Sequence, residues 1–73
     1  MAGAPKSSWP ELKGKHADYA EKIISQDRPD VHVITKIEGH EPEPPFEEDD
    51  RVIIWCFVDV GFNFIVSRTP YVG

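Results

Sequence analysis

Residues 39–50 constrain the chain most, because they concentrate proline and acid in one stretch. The segment reads GHEPEPPFEEDD and holds three of the seven prolines and six of the thirteen acidic residues. Proline has no backbone N–H and disfavours helix in the residue before it. The segment therefore cannot be a helix or a central strand. We predict an extended, exposed loop with one aromatic residue, Phe46, near its middle.

Two β-branched runs flank this loop. Residues 31–37 alternate between apolar and polar side chains, which predicts a strand with one face on the core. Residues 52–58 are almost continuously apolar, which is typical of a central strand that is buried on both faces or covered by a helix. A dozen intervening residues are about the minimum for a crossover between parallel strands. A turn at 59–63 and a short strand at 64–66 follow.

A helix is predicted before these strands. The apolar residues of 17–26 recur at helical spacing. His16 stands at the N-cap position, where it is a weak cap. Pro29 ends the helix, because proline cannot continue it. Upstream, Trp9 either pins the N-terminal segment in a turn or belongs to the core.

Length and charge limit the class of protein. The chain has 73 residues, which allow one small domain, and residues 1–8 lack any pattern, so we expect them to be disordered. The formal net charge of −5 disfavours nucleic acid and anionic membranes as partners. No apolar run reaches the roughly 20 residues that span a bilayer. We expect a cytoplasmic protein, or a secreted or vacuolar one if a targeting segment is missing from this sequence.

No set of residues indicates catalysis, so we do not expect an enzyme, a catalytic residue or a cofactor. The three histidines are too scattered for a metal site, and the acidic run 47–50 lacks the spacing of a calcium loop. The only cysteine, Cys56, argues against a disulfide framework. On an apolar strand it is expected to be buried and inert; if exposed, it could link two chains.

Short motifs through the chain resemble the potato inhibitor I family. They are SWPEL at 8–12, GK at 14–15, QDRP at 26–29, EG at 38–39, DRV at 50–52 and PYVG at 70–73. The resemblance extends from Ser7 onward. It implies an α+β fold in 1–73, with one helix packed on a small mixed sheet and an exposed reactive-site loop between two parallel strands. It also implies a substrate-like inhibitor of subtilisin- or chymotrypsin-type serine endopeptidases. We expect a monomer with a role in wound or defence response.

The family loop places one residue in the protease specificity pocket, immediately before the scissile bond. Here the loop is one residue longer, so counting from Gly39 places Pro44 there and counting back from Asp50 places Pro45 there. A large apolar residue followed by an acid fits the family pattern best, and this selects the Phe46–Glu47 bond. The residues implied to contact the protease are Glu43, Pro44, Pro45, Phe46, Glu47 and Glu48.

Arginines brace the loop in this family, and the resemblance implies that Arg51 is one of them. Ile53 stands where the second strand arginine would be, and Tyr71 replaces the C-terminal one, although Arg68 is near. Arg51 and Arg68 are therefore the candidate braces, and proline stiffness would support them. Two alternatives stay open. The chain could be a divergent, non-inhibitory member whose prolines at 42–45 bind another protein in polyproline form, or a scaffold only.

Overall fold

The computed structural model describes residues 6–73, which form one helix and a three-stranded sheet. A 3₁₀ turn at Pro10–Leu12 precedes helix α1 at Ala17–Asp27. The strands are β1 at His32–Ile37, β2 at Arg51–Val58 and β3 at Phe64–Val66. The predicted α+β class is confirmed. The helix ends at Asp27, one residue later than predicted, and His16 makes no side-chain cap, as expected.

The central strand of the sheet is β2, which pairs in parallel with β1 and antiparallel with β3. In the β1–β2 register His32 lies opposite Arg51, and Ile37 lies opposite Cys56. The intervening loop must therefore run back along most of β2, from the level of Cys56 to that of Arg51. Parallel pairing requires this crossover, which here contains no helix. The sheet thus fixes both ends of the loop.

One face of α1 covers one face of β2 to make the core. The helix contributes Ala17, Ala20 and Ile24, all buried, at the spacing that the sequence predicts. The other buried side chains of this cluster are Trp9, Leu12, Val52, Ile54, Cys56 and Val66. Each large apolar side chain buried in this way contributes about 1.5–3 kcal/mol to folding. The thiol of Cys56 is buried, as expected, and Sγ donates to the Lys36 carbonyl at 3.4 Å.

Trp9 fulfils both interpretations made from the sequence. Its ring is fully buried in the core. Its indole Nε1 donates to Asp27 at 2.9 Å, and its backbone N–H donates to the Pro70 carbonyl at 2.9 Å. Trp9 therefore ties the N-terminal segment to the end of α1 and to the C-terminal segment.

The C-terminal residues lie beside the start of β2. Val72 pairs with Val52, and the Gly73 N–H donates to the Arg51 carbonyl at 2.8 Å. On the other side, the Val72 N–H donates to the Ser7 carbonyl at 2.8 Å, and Ser8 pairs with Tyr71. Ser7 and Ser8, which the sequence predicts to be disordered, therefore have backbone partners in the C-terminal segment. Residues 1–5 lie outside the described residues.

The β2–β3 turn is built on Asp59. Its carboxylate accepts from the backbone N–H groups of Gly61 and Asn63 at 2.8 and 3.0 Å. These hydrogen bonds, that from Asn63 foremost, hold the pKa of Asp59 below its ordinary value. Phe62 adopts a positive φ of 63°, a region that residues other than glycine, asparagine and aspartate rarely occupy.

Within residues 6–73, no helix is long and apolar enough to cross a membrane.

Candidate functional site

The loop between β1 and β2 begins with a tight turn that closes on the end of β1. The backbone N–H groups of His40 and Glu41 both donate to the Ile37 carbonyl at 3.2 Å. In return, the Glu41 carboxylate accepts from the Ile37 N–H at 2.8 Å. Its other oxygen lies 3.9 Å from Lys36 Nζ. Glu41 thus satisfies a backbone donor at the end of the edge strand and fixes the direction in which the loop leaves.

Arg68 holds the leading limb of the loop, residues 38–43. Its Nη1 donates to Glu43 Oε1 at 2.9 Å, and its Nη2 lies 2.6 Å from Glu38 Oε1. The guanidinium carbon stands 4.4 Å from the ring centroid of Trp55, within the range of a cation–π contact. The hydrogen bond to Glu43, followed by that to Glu38, raises the pKa of Arg68 above its ordinary value. Because Trp55 is buried in β2, this arginine is stacked on a fixed platform.

Arg51 holds the trailing limb, residues 46–50, from the first position of β2. Its Nη2 donates to the Phe46 carbonyl at 2.6 Å, and its Nη1 donates to Glu48 Oε2 at 3.0 Å. Its Nε donates to the Gly73 carbonyl at 2.9 Å. Only 9% of Arg51 is exposed. A single planar guanidinium, whose geometry is rigid, therefore joins β2, the C-terminus and the loop.

The apex of the loop lies between these two limbs. The chain bends at Pro45 and Phe46. Pro44 is half-buried, Pro45 is exposed, and 77% of Phe46 is exposed. Glu43, Glu47 and Glu48 are exposed as well, so five of the six residues implied to contact a protease are exposed. A large aromatic side chain held in solvent is available for a partner, since no folding contact uses most of its surface.

A cavity of about 120 Å³ lies beneath the apex. Its lining comes from the loop, β2 and the C-terminal segment: Glu43, Pro44, Phe46, Glu47, Arg51, Ile53, Trp55, Tyr71 and Gly73. Ile53 and Tyr71, which the family resemblance aligns with two bracing arginines, donate no side-chain hydrogen bond to the loop within the described part of the chain. The cavity is well below the 300–1,000 Å³ of typical small-molecule sites.

The apex of the loop exposes a segment of the chain that another protein could contact. Across residues 6–73, no group of three histidine, cysteine or acidic side chains is close enough to hold a metal ion. The acidic side chains nearest the apex face solvent or an arginine. What the loop offers a partner is therefore an exposed peptide chain with one aromatic side chain, supported from below.

The sequence pointed to both arginines but not to their partners. The sequence predicts the acceptors Glu43 and Glu48 only as residues that contact the protease. The roles of Glu41 and Trp55 were missed, and no local pattern signals them. Glu43 and Arg68 are separated by 25 positions, and such a pairing depends on where the strands place the two residues.

Comparison with known proteins agrees with this architecture. A curated relative, the chymotrypsin inhibitor of the earthworm Lumbricus terrestris, is 40% identical over 70 residues, which are 96% of this chain and 76% of the relative. The crystal structure of bitter gourd trypsin inhibitor superposes with a TM-score of 0.79 at 30% identity, covering both chains completely. Both similarities indicate a protease inhibitor. The model of the potato inhibitor I family matches residues 1–73, and this chain belongs to that family.

Proposed function

We propose that this protein is a substrate-like inhibitor of serine endopeptidases of the chymotrypsin and subtilisin type. It binds through residues 39–50 and offers the Phe46–Glu47 bond to the protease. One observation carries the proposal: Phe46 is 77% exposed at the apex of a loop whose limbs are held by Arg51 and Arg68. A hydrophobic specificity pocket would take the Phe46 ring.

Preorganisation explains how such a loop would inhibit. A segment that is already fixed in shape loses little conformational entropy on binding, so more of its contact energy appears as affinity. Here the two arginines restrict the limbs, and Pro44 and Pro45 restrict the backbone before the apex. Burial of the Phe46 ring adds about 1.5–3 kcal/mol.

Arg51 also gives a reason why a bound protease would hydrolyse the Phe46–Glu47 bond slowly. Its guanidinium contacts both sides of the Phe46–Glu47 bond, through the Phe46 carbonyl on one side and the Glu48 carboxylate on the other. After cleavage the new Phe46 carboxylate would bind this cation more strongly than the neutral carbonyl did, because the hydrogen bond becomes charge-assisted on both sides. The two ends then stay close together, and resealing competes with their separation.

The loop composition favours chymotrypsin-like over trypsin-like targets. The trypsin pocket carries an aspartate that selects Lys or Arg, and residues 39–50 contain neither.

Two of the three candidate bonds are less suitable than Phe46–Glu47 as the scissile bond. Attack at Pro44–Pro45 would have to expel a proline nitrogen, and attack at Pro45–Phe46 would place the small proline ring in the pocket.

A titration tests the proposal. Increasing amounts of the protein are added to chymotrypsin, subtilisin and, for comparison, trypsin, and the residual activity is measured with small substrates. We expect tight inhibition of the first two and little inhibition of trypsin. Mass spectrometry of long incubations should find slow cleavage at Phe46–Glu47. Undiminished activity of both chymotrypsin and subtilisin at micromolar inhibitor would contradict the proposal.

A further inference from the structure

Two side chains line the cavity beneath the loop apex without binding the loop through hydrogen bonds among residues 6–73. They are Ile53 on β2 and Tyr71 in the C-terminal segment. We propose that these two side chains hold the apex by apolar packing, and so keep the two ends of the Phe46–Glu47 bond together when a protease cuts it. The inference rests on the proposed function, and it makes Ile53 and Tyr71 positioning residues for slow cleavage.

Tyr71 is fixed at its backbone and extends its ring toward the loop. Its backbone pairs with Ser8 on the side away from β2. A β-carbon on Gly73 would lie 2.7 Å from Cε2 of the Tyr71 ring and 3.8 Å from the carboxyl carbon of Glu47. The ring and the Glu47 side chain therefore converge on Gly73. This places Tyr71 beside the residue that follows the candidate scissile bond.

Ile53 lies between the two points at which β2 supports the loop. Alternate residues of a strand face the same side, so Arg51, Ile53 and Trp55 share the face turned away from the core. Arg51 holds the trailing limb directly, and Trp55 carries Arg68, which holds the leading limb. The apex between these limbs lies over Ile53, whose side chain can support it only by packing.

Pro44 is the loop residue that meets this support. It is the only residue of 39–50 that is half-buried, whereas the other two prolines of the loop, Pro42 and Pro45, are exposed. Pro44 lines the same cavity as Ile53 and Tyr71. Its ring has a fixed φ, so contact with an apolar surface restrains the backbone as well as the side chain.

The support would survive cleavage of the bond above it. Hydrolysis adds water across the Phe46–Glu47 peptide and leaves a carboxylate on Phe46 and an ammonium group on Glu47. Both residues line the cavity, so both new ends border the support. Apolar attraction is non-directional and does not depend on the intact peptide. The ends therefore stay in reach of each other, and resealing, which expels the water, competes with their separation.

Two variants of Tyr71 test the proposal with little effect on the core, because 53% of this residue is exposed. Tyr71→Ala removes the ring, and Tyr71→Phe keeps it without the hydroxyl. Each protein is incubated with chymotrypsin, and mass spectrometry measures the rate of cleavage at Phe46–Glu47. We expect cleavage about ten-fold faster for Tyr71→Ala and an unchanged rate for Tyr71→Phe. Equal rates in the alanine variant and the unmodified protein, or fast cleavage of both variants, would overturn the proposal.

Ile53 has a matched control on the neighbouring strand. Ile34 lies opposite Ile53 in the β1–β2 register but does not line the cavity. Ile53→Ala should speed cleavage at Phe46–Glu47 about ten-fold, and Ile34→Ala should leave the rate unchanged. Urea denaturation establishes that both variants are folded. Equal cleavage rates would contradict a support at Ile53, and if Ile53→Ala does not fold, the two variants of Tyr71 decide.

Amide relaxation of the free protein separates this inference from the proposed function, because it needs no protease. We expect order parameters of about 0.85 at Phe46 and Glu47 in the unmodified protein and in Tyr71→Phe, and values near about 0.6 in Tyr71→Ala. Unchanged order parameters in Tyr71→Ala would overturn the packing while leaving inhibition intact. A protein that inhibits neither chymotrypsin nor subtilisin would refute the proposed function, and loss of order in Tyr71→Ala would still establish the packing.

Discussion

The guanidinium carbon of Arg68 lies 4.4 Å from the ring centroid of Trp55, and from this position Arg68 reaches Glu43 on the loop. Trp55 is buried in the central strand, so the stack transmits the rigidity of the sheet to an exposed segment. Arg51 does the same for the trailing limb from within the strand itself. The loop is thus held at two independent points, by Arg51 at the start of β2 and by Arg68 just after β3.

Substitution of Arg68 should weaken inhibition. Arg68→Gln loses the stack on Trp55 and the ion pairs with Glu38 and Glu43, each worth about 1 kcal/mol or less at a partly exposed position. The dissociation constant for chymotrypsin should rise about ten-fold, as measured by inhibition titration. Arg28→Gln is the matched control, since its ion pair with Asp30 lies outside the loop. Equal effects of the two changes would argue against a brace at Arg68.

Phe46 should contribute affinity but not stability. Because its side chain is 77% exposed, Phe46→Ala should change the free energy of unfolding by no more than about 0.5 kcal/mol. Its affinity for chymotrypsin should fall at least about a hundred-fold, the loss typical of an aromatic anchor. Phe62→Ala, at a similarly exposed site on the β2–β3 turn, should leave inhibition unchanged. Full affinity in the Phe46 variant would exclude this side chain as the anchor.

The helix face should dominate stability. Ile24 is fully buried between α1 and the sheet, so Ile24→Ala should lower the free energy of unfolding by about 3 kcal/mol through lost transfer energy and a residual cavity. Ile34→Ala, at a β1 position that is 40% exposed, should cost less than half as much. Urea denaturation of both variants measures the difference. Similar losses would mean that the core does not lie where the structure places it.

Backbone strain at Phe62 should be removable. At φ 63° a β-carbon costs about 1–2 kcal/mol, which glycine avoids, although glycine also loses more entropy on folding. We expect Phe62→Gly to raise the free energy of unfolding by about 0.5 kcal/mol, visible as a higher Tm. Gly61→Ala, one position earlier, should bring no such gain, because an added β-carbon would lie 3.0 Å from Asn63 Nδ2. A lower Tm for the glycine variant would show that the ring contributes to folding.

Cys56 should be unreactive in the folded protein. Burial, and secondarily the charges of Glu41 and Glu38, raise the pKa of its thiol above the ordinary value of 9.0. The neutral thiol is thus favoured on folding. Its contribution to stability is fully present below pH 9 and is lost as the pH rises through the higher folded value.

Alkylation by iodoacetamide at pH 8 measures the reactivity of the Cys56 thiol directly. A fully buried sulfur reacts only when the structure opens, so the folded protein should react at least about a hundred-fold more slowly than the protein in guanidinium. Comparable rates in the two conditions would place Cys56 at the surface, where it could link two chains.

Much of the fold could be predicted from local patterns. Helical spacing identified the buried residues of α1, and the apolar run before Asp59 identified the central strand, because periodicity follows directly from backbone geometry. The sequence does not predict the backbone pairing of Ser7 and Ser8. Their partners lie in the C-terminal segment, and no local pattern of small polar residues reveals that pairing.

By itself, the sequence determined that a proline-rich acidic segment separates two strands, because proline chemistry forbids regular structure there, and that Phe46 is its only aromatic residue. Only the tertiary structure decided that Arg68 reaches Glu43 from a stack on Trp55, and that Arg51 takes the carbonyl of Phe46 as well as the carboxylate of Glu48. The physical reason is that proline and periodicity act within a few residues. The partner of an arginine depends instead on which backbone and side-chain oxygens the folded sheet brings within 3 Å of it.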